Sequence, residues 1–196
     1  MQKFFDEENL LTWKKVGAHD LGVCDRERTL INFWSSPDIK EFLSKKYPIG
    51  ELFYGYLGGN ASICYCYIDK KNSGNSTVEY ILDDDGVYRE LVGAFLLYNP
   101  FTKGDALSIE GMVANPMMVK KGYASRMVAS IRDNPEFFGN ELHTGKIIAA
   151  VHKDNIASQK VFLKNRFRVM KRSEHMAVFD RCLIYYEYDR DMDKQK

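Results

Sequence analysis

The chain has 196 residues, of which 45% are hydrophobic and 28% charged, so it holds enough apolar material for the core of one large domain. The formal net charge of +1 excludes the strong basic excess of a protein that binds nucleic acid over its whole surface. No apolar stretch reaches the roughly 20 residues of a membrane-spanning helix, and the N-terminus MQKFFDEENL lacks the apolar centre of a signal peptide. We therefore expect a cytoplasmic protein with neither a membrane nor a nucleic-acid partner.

The first third of the chain predicts short helices. Apolar residues recur at helical spacing within residues 26–46, and Ser35-Ser36-Pro37 in the middle of this segment ends one helix and starts the next. The following segment, 47–60, is aromatic and rich in glycine but lacks the G-x-G-x-x-G spacing of a dinucleotide site. We expect loops or strand edges there.

Strands are predicted next. β-forming residues are concentrated in the segments 61–68, 77–82, 89–98 and 106–114. The acidic run 83–85 before Gly86 favours a hairpin turn over a cation site. Cys64 and Cys66 lie two residues apart and share a strand face. Because no second cysteine pair or nearby histidine accompanies them, free thiols are favoured over a metal site, as in a reducing compartment.

The second half of the chain alternates strands with helices. The pattern predicts a helix over 122–131, a strand over 146–151, a helix over 156–164 and closing strands near 168–179 and 181–188. The first of these helices carries an apolar stripe made of Ala124, Met127, Val128 and Ile131. This order predicts a single domain of the α/β (α+β) class.

Phosphate binding is indicated by the stretch Ser108–Ile131, which is predicted to run strand, bend, loop and helix. The helix opens at Gly122, and the first turn of a helix presents unpaired N–H groups that bind phosphate. Lys120 and Lys121 add positive charge, although the spacing is not that of a Walker A loop. An ordinary strand–loop–helix connection with solvated lysines is the alternative.

A second stretch, Ile147–Met170, is predicted to run strand, polar loop, helix and strand, with Asp154 or Asn155 capping the helix. Together the two stretches resemble the GNAT superfamily of acyl-CoA-dependent N-acyltransferases. The family's pyrophosphate loop, Q/R-x-x-G-x-G/A after a V-x-P strand end, corresponds to Val119–Ala124 after Ala114-Asn115-Pro116. The family's later signature corresponds to Asn155, Ala157, Ser158, Phe162 and Phe167. The hairpin that precedes the first motif corresponds to Asp85-Gly86 and Leu91–Gly93.

The resemblance, which spans residues 76–188, implies one GNAT-like domain over 1–196 with a mixed, mostly antiparallel central sheet flanked by helices. Residues 1–60 would form a variable helical region on the substrate side, and 76–188 the acyl-CoA-binding core. Acetyl-CoA would be the acyl donor, and no metal would be needed. The residues implied at its site are Met112, Ala114, Val119, Lys120, Lys121, Gly122, Tyr123, Ala124, Asn155 and Ser158.

The resemblance also implies how the donor binds. Main-chain groups of Met112 and Ala114 would pair with pantetheine in a slot where this strand diverges from 147–151. The backbone of Val119–Ala124 would hold the pyrophosphate. Asn155 would hydrogen-bond pantetheine or cap its helix, and Ser158 lies one turn along.

Three positions depart from the family pattern. Val119 replaces the usual Gln or Arg, and Arg166 replaces the glycine that ends the later helix, where we expect Asn165 to take the left-handed conformation. Phe162 replaces the tyrosine that protonates the leaving thiolate in many members. The tyrosines that follow on the closing strand are candidate substitutes, namely Tyr185, Tyr186 and Tyr188.

Glu110 is the candidate general base, because it lies on the motif strand with the same parity as Met112 and burial raises a carboxyl pKa toward neutrality. A strand carboxylate satisfied by a neighbouring hydrogen bond is the alternative. His152 is a second candidate because histidine titrates near neutral pH; a loop-side histidine without a role is the alternative.

The resemblance implies transfer of an acetyl group to a primary amine by direct attack in a ternary complex. We expect residues 26–60 to build the acceptor pocket, where a small-molecule amine, a polyamine, an amino acid or a peptide N-terminus all remain open. A homodimer is also left open. The rivals are a catalytically silent CoA-binding or protein-interaction module, favoured by Val119 and Phe162, and an unrelated phosphate-binding domain.

Overall fold

The computed structural model of the protein describes residues 2–17, 61–71, 80–82, 86–98, 106–115, 118, 120–138, 146–170 and 182–193. Several predicted features lie outside these residues: the helices within 26–46, the segment 47–60, the acidic turn 83–85 and Val119.

The described residues form nine strands and four helices. The strands are β1 (Gln2–Asp6), β2 (Leu11–Gly17), β3 (Ala61–Lys71), β4 (Tyr80–Leu82), β5 (Tyr88–Tyr98), β6 (Ala106–Ala114), β7 (Lys146–His152), β8 (Arg168–Val169) and β9 (Leu183–Asp189). The helices are α1 (Tyr123–Asp133), α2 (Pro135–Phe138), α3 (Ile156–Lys164) and α4 (Arg190–Asp193). The predicted bounds of β6 and α3 are confirmed, and β5 and β7 each extend the prediction by one residue.

All nine strands belong to one sheet, ordered β1-β2-β3-β5-β6-β7-β9-β8, with β4 paired to the start of β5. Every neighbouring pair is antiparallel except β6 with β7. The mixed, mostly antiparallel sheet and the α/β class are therefore confirmed. A parallel pair requires a crossover connection, and here α1 and α2 lie in the segment that joins β6 to β7.

The N-terminal residues differ from the prediction. The region 1–60 was expected to be helical, but 2–6 and 11–17 are strands at one edge of the sheet. The alternation that reveals a half-buried strand is absent from β2 because both of its faces are covered: Leu11 and Trp13 on one face, and Thr12 and Lys14 on the other, are all at most 6% exposed.

One face of the sheet packs against α1 and α2. Met127, Val128 and Ile131 of the predicted stripe are buried, whereas Ala124 is only partly covered. On this face Trp13 donates from Nε1 to Ser130 Oγ at 2.6 Å, and both residues are fully buried. The bond joins β2 to α1, and its two residues are 117 positions apart in the sequence.

The short helix α2 escaped sequence prediction. Its Phe138 is buried and meets the Trp13 ring edge-on, with ring centroids 5.1 Å apart. Four residues carry too little periodicity to indicate a helix. Among the described residues, none of the helices has both the length and the apolar character that crossing a bilayer requires.

The thiols of Cys64 and Cys66 face the same core and are free, as predicted. Both side chains are fully buried. Burial raises the pKa of the Cys64 thiol to about 12, and it also raises the pKa of the Cys66 thiol. Both therefore stay protonated at neutral pH and are poor nucleophiles.

Replacing Ser130 with alanine should lower the free energy of unfolding by about 1–3 kcal/mol, because the buried indole N–H of Trp13 loses its acceptor. Urea unfolding measures this cost. In a Trp13→Phe background the same change should cost much less, since the donor is already gone. Equal costs in the two backgrounds would show that the two side chains are not coupled.

Candidate functional site

The strands β6 and β7 pair over only four positions, from Ala106 with Lys146 to Ile109 with Ala149. Beyond Ile109, β6 continues to pair with β5, while no described strand pairs with its opposite edge. β7 continues beside β9. The two strands therefore part at Ile109 and Ala149, which is the divergence that the resemblance implied.

A β-bulge follows directly on β6. Leu96 pairs with Glu110 and Ala94 with Val113, so Gly111 and Met112 together oppose a single residue of β5. Gly111 has a φ of 57°, the left-handed conformation that defines a G1 bulge and that glycine adopts without strain. The bulge bends β6 just where it leaves β7.

The bulge also corrects the predicted side-chain pattern. Because residues directly opposite each other share a face, Glu110 lies on the same face as Val113. The expectation that Glu110 and Met112 share a face was wrong, since the extra residue between them reverses the alternation.

Both candidate bases lie on one face of the sheet. Ile109 and Ala149 are paired and share one face of the sheet. Glu110 is one residue beyond Ile109 and His152 three residues beyond Ala149, so both side chains point to the other face. Glu110 is half-buried and accepts from Ser108 Oγ at 3.4 Å. His152 accepts from the Asp154 N–H at Nδ1, 3.3 Å away, and the same nitrogen lies 3.6 Å from Asp154 Oδ2.

Asn115 anchors the start of the loop between β6 and α1. It is buried, and its Nδ2 donates to the Leu91 carbonyl at 2.8 Å while its backbone N–H donates to the Val92 carbonyl at 2.7 Å. Its own carbonyl accepts from the Met118 N–H at 2.8 Å. Sequence reasoning treated Asn115 only as part of a bend, because its partners on β5 are distant in sequence.

The N-terminus of α1 has the features of an anion site. Gly122 is its N-cap with φ 81°, no side chain caps the helix, and its first turn has no acidic residue. An added Cβ at Gly122 would meet no atom of the described residues within 4 Å. Lys120 and Lys121 are exposed beside it, and Tyr123 and Ala124 form the first turn. Backbone N–H groups and positive charge thus converge here.

Two contacts hold α1 in place. Arg126 lies 4.7 Å from the centre of the Tyr123 ring and donates to the Asn9 carbonyl in the β1–β2 turn. Asn165, at the end of α3, donates from Nδ2 to Ser125 Oγ at 3.0 Å. The first two turns of α1 are therefore tied both to the N-terminal hairpin and to α3.

Asn155 caps α3, because its Oδ1 accepts from the Ser158 N–H at 3.0 Å. Asn155 was predicted either to cap this helix or to hydrogen-bond pantetheine, and the structure shows the cap. On the sheet-facing side of α3, Phe162 is buried against Tyr186 of β9 with ring centroids 5.9 Å apart and nearly parallel planes.

The comparison with known proteins follows this geometry. The family described as "Acetyltransferase (GNAT) domain" matches residues 22–168, well over half of the 196 residues. The chain belongs to the GNAT acetyltransferase family. No curated protein sequence matches it.

Solved GNAT structures share the fold at low identity. An acetyltransferase (GNAT family) from Bacillus anthracis is 15% identical with a TM-score of 0.56, covering 93% of this chain and 96% of that one. A GNAT family acetyltransferase from Elizabethkingia anophelis with acetyl-CoA bound is 12% identical, with a TM-score of 0.54 and coverages of 92% and 98%. Aminoglycoside acetyltransferase AAC(6')-Ib in complex with coenzyme A and kanamycin is 14% identical, with a TM-score of 0.62 and coverages of 95% and 98%.

In this GNAT chain α3 ends without the family's glycine. The expectation that Asn165 would take the left-handed conformation was wrong. Arg166 takes the left-handed conformation with φ 67°, whereas Asn165 stays at φ −90°. Two contacts of the Asn165 side chain, to Val161 O and Ser125 Oγ, hold it at the helix end. The Phe167 N–H then reaches back to the Phe162 carbonyl at 3.1 Å, which is the long bond of a Schellman motif with Arg166 at the position that favours glycine.

Replacing Arg166 with glycine should therefore raise the free energy of unfolding by about 0.5–1 kcal/mol, because it relieves a left-handed side-chain clash. Thermal and urea unfolding measure the gain. Lys164→Gly is the matched control, since this exposed residue is in the last helical turn and glycine there should cost about 1 kcal/mol. Destabilisation by both glycines would contradict the strain argument.

Proposed function

We propose that this GNAT protein transfers an acetyl group from acetyl-CoA to a primary amine, by direct attack of the amine in a ternary complex. The observation that carries the proposal is the edge of β6 beyond Ile109, with which no described strand pairs, beside the lysine-flanked N-terminus of α1, which has no side-chain cap. Two of the solved GNAT structures contain acetyl-CoA or coenzyme A, which supports this donor.

In the proposed complex the pyrophosphate lies on the backbone of Val119–Ala124. An anion fits there because an added Cβ at Gly122 would meet no described atom within 4 Å and the first turn of α1 carries no acidic residue. Pantetheine pairs with main-chain groups of Met112 and Ala114, as a further strand would. The opposite wall is formed by Asn155, the N-cap of α3, and by Ser158 in its first turn.

The amine approaches from the face that carries Glu110 and His152. An ammonium must lose a proton before it attacks, and Glu110 accepts that proton directly or through a water. His152 is the second candidate. The nitrogen then bonds to the thioester carbon, a main-chain N–H at the Gly111–Met112 bulge stabilises the developing oxyanion, and the carbon–sulfur bond breaks with its electron pair on sulfur.

Direct attack is supported by the cysteines that the structure describes. Cys64 and Cys66 are fully buried, protonated thiols and therefore poor nucleophiles. Cys182 is half-exposed in the turn before β9. Free thiols are also the state expected in the cytoplasm, where we propose that the protein acts.

The proposed acceptor is a primary amine, and the proposed domain extends over residues 1–196. Residues 76–188 would bind the donor, and the region 26–60 would cover the acceptor face. AAC(6')-Ib was solved in complex with coenzyme A and kanamycin, which supports an amine acceptor.

A silent CoA-binding module is the second candidate function. Phe162 favours it, since the buried phenyl ring at this position donates no proton to a leaving thiolate. Calorimetry with acetyl-CoA and with dephospho-CoA tests the donor site that both functions share, and a dissociation constant of about micromolar order is expected. Absence of binding would refute both. An amine library assayed for thiol release then separates the enzyme from the silent module.

Gly122→Glu should abolish detectable acetyl-CoA binding, because it places a carboxylate where the pyrophosphate charges would lie. Calorimetry measures the loss, and the melting temperature reports the fold. Gly122→Asn is the matched control: asparagine tolerates positive φ and adds no charge, so binding should persist. Equal affinity in the glutamate variant would remove this loop from the donor site.

Glu110→Gln should lower kcat about a hundred-fold or more, because it removes the base while keeping the size of the side chain. The dissociation constant for acetyl-CoA should not change. Ser108→Ala, which removes the hydroxyl that donates to Glu110, should have a much smaller effect. An unchanged kcat in Glu110→Gln would exclude Glu110 as the base.

A further inference from the structure

The outward side of α3 carries exposed apolar side chains. Ile156 is 53% exposed and Leu163 50%, and their spacing of seven residues puts them on one side of the helix. Val169 of β8 is 52% exposed and pairs with Tyr186, on which Phe162 of α3 stacks, so it lies on the same side of the sheet as α3. Of the six large hydrophobic side chains that are exposed among the described residues, three therefore lie in this one segment. Single exposed hydrophobic residues are common, but a group of them marks an interaction surface.

The same segment is basic. The whole chain has 28 basic and 27 acidic residues, yet 155–170 contains four basic residues and no acidic one. Arg168 pairs with Glu187, whereas Lys160 and Lys164 are exposed on the side of α3 that carries the apolar residues. Apolar and basic side chains together suit an acidic, amphipathic partner. We refer to this set as the α3 surface, which consists of Ile156, Lys160, Leu163, Lys164 and Val169.

The end of α3 lies beside the start of α1. Asn165 donates from Nδ2 to Ser125 Oγ at 3.0 Å, and Ser125 is three residues beyond the N-cap Gly122. Leu163 and Lys164 are therefore near the place proposed for the pyrophosphate, where the nucleotide half of coenzyme A leads away from the slot. Glu110 is on the other face of the sheet. A partner on the α3 surface thus meets the donor and not the acceptor.

We propose that the α3 surface docks an acidic carrier protein that holds an acyl group as a thioester on a phosphopantetheine arm, and this inference rests on the proposed acetyl transfer. Such a carrier has the same pantetheine thioester as acetyl-CoA, but its phosphate is bonded to a serine of the carrier in place of the nucleotide. The arm enters the slot between β6 and β7 with its phosphate at Gly122, and the carrier covers the α3 surface.

The group transfer is the same as from acetyl-CoA. The amine nitrogen bonds to the thioester carbon, the carbon–sulfur bond breaks with its electron pair on sulfur, and a proton equivalent to the one lost by the amine goes to the sulfur. The products are the N-acetyl amine and the carrier with a free thiol. Coenzyme A alone accounts for the positive charge at Lys120 and Lys121, but it gives no reason for the exposed Ile156 and Leu163.

The test is calorimetry of the full chain at low salt with a bacterial acyl carrier protein in its acetylated form. The apo-carrier, which lacks the arm, is the matched control. We expect a dissociation constant of about micromolar order for the acetylated carrier and much weaker binding of the apo-carrier. Acetyl-CoA should displace the acetylated carrier, because both occupy the same slot.

Lys160→Glu combined with Lys164→Glu should weaken binding of the acetylated carrier about ten-fold or more, because it reverses the charge that faces the acidic partner. Leu163→Ser should weaken it several-fold without a change in charge, while its affinity for acetyl-CoA stays the same. Lys146→Glu is the matched control, since Lys146 is an exposed lysine at the end of β7 remote from the slot, and it should have little effect.

Equal binding of the acetylated carrier, the apo-carrier and polyglutamate would indicate general attraction of polyanions and overturn the proposal. A protein that binds acetyl-CoA but not the acetylated carrier would also overturn it, and the proposed function would stand. Failure to bind either donor would instead refute the proposed function. A dimer that sedimentation detects in the wild type and not in Leu163→Ser would assign the α3 surface to a second copy of this chain, against the proposal.

Discussion

The early end of the pairing between β6 and β7 is the constraint on which the site depends. Among the described residues only four pairs join these strands, and no described strand pairs with this edge of β6 beyond Ile109. The bulge at Gly111 and Met112 bends β6 away at once, which prevents the ladder from closing again. A fully paired sheet would have no slot at this position.

Buried polar contacts hold the helices against this divided sheet. Trp13 with Ser130 fixes the middle of α1, Asn115 fixes the loop before it, and Asn165 joins its first turn to α3. In each case at least one partner is buried, so the bond costs more to lose than an exposed one. These contacts give the α1 N-terminus a defined position beside the slot, which a bound anion requires.

The two faces of the sheet have different chemistry at the gap. Glu110 and His152 lie on one face, while Tyr186 and Phe162 lie on the other. The strand backbone keeps these groups apart, because alternate residues of a strand point in opposite directions.

The sequence by itself determined the features that local chemistry encodes. β6 and α3 were predicted with their observed bounds, and the start of α1 followed from Gly122, because strand composition, an asparagine cap and a glycine at a helix start act within a few residues. Only the tertiary structure decided what depends on distant partners. The strands within 2–17 escaped prediction because β2 is buried on both faces, and the face of Glu110 was reversed by a bulge opposite β5. Arg166 and not Asn165 takes the left-handed turn because Ser125 holds the asparagine, and Tyr186 lies beside Ala149 only because β7 pairs with β9. Strand pairing joins residues that are far apart in the chain, and no local pattern records which partner each strand meets.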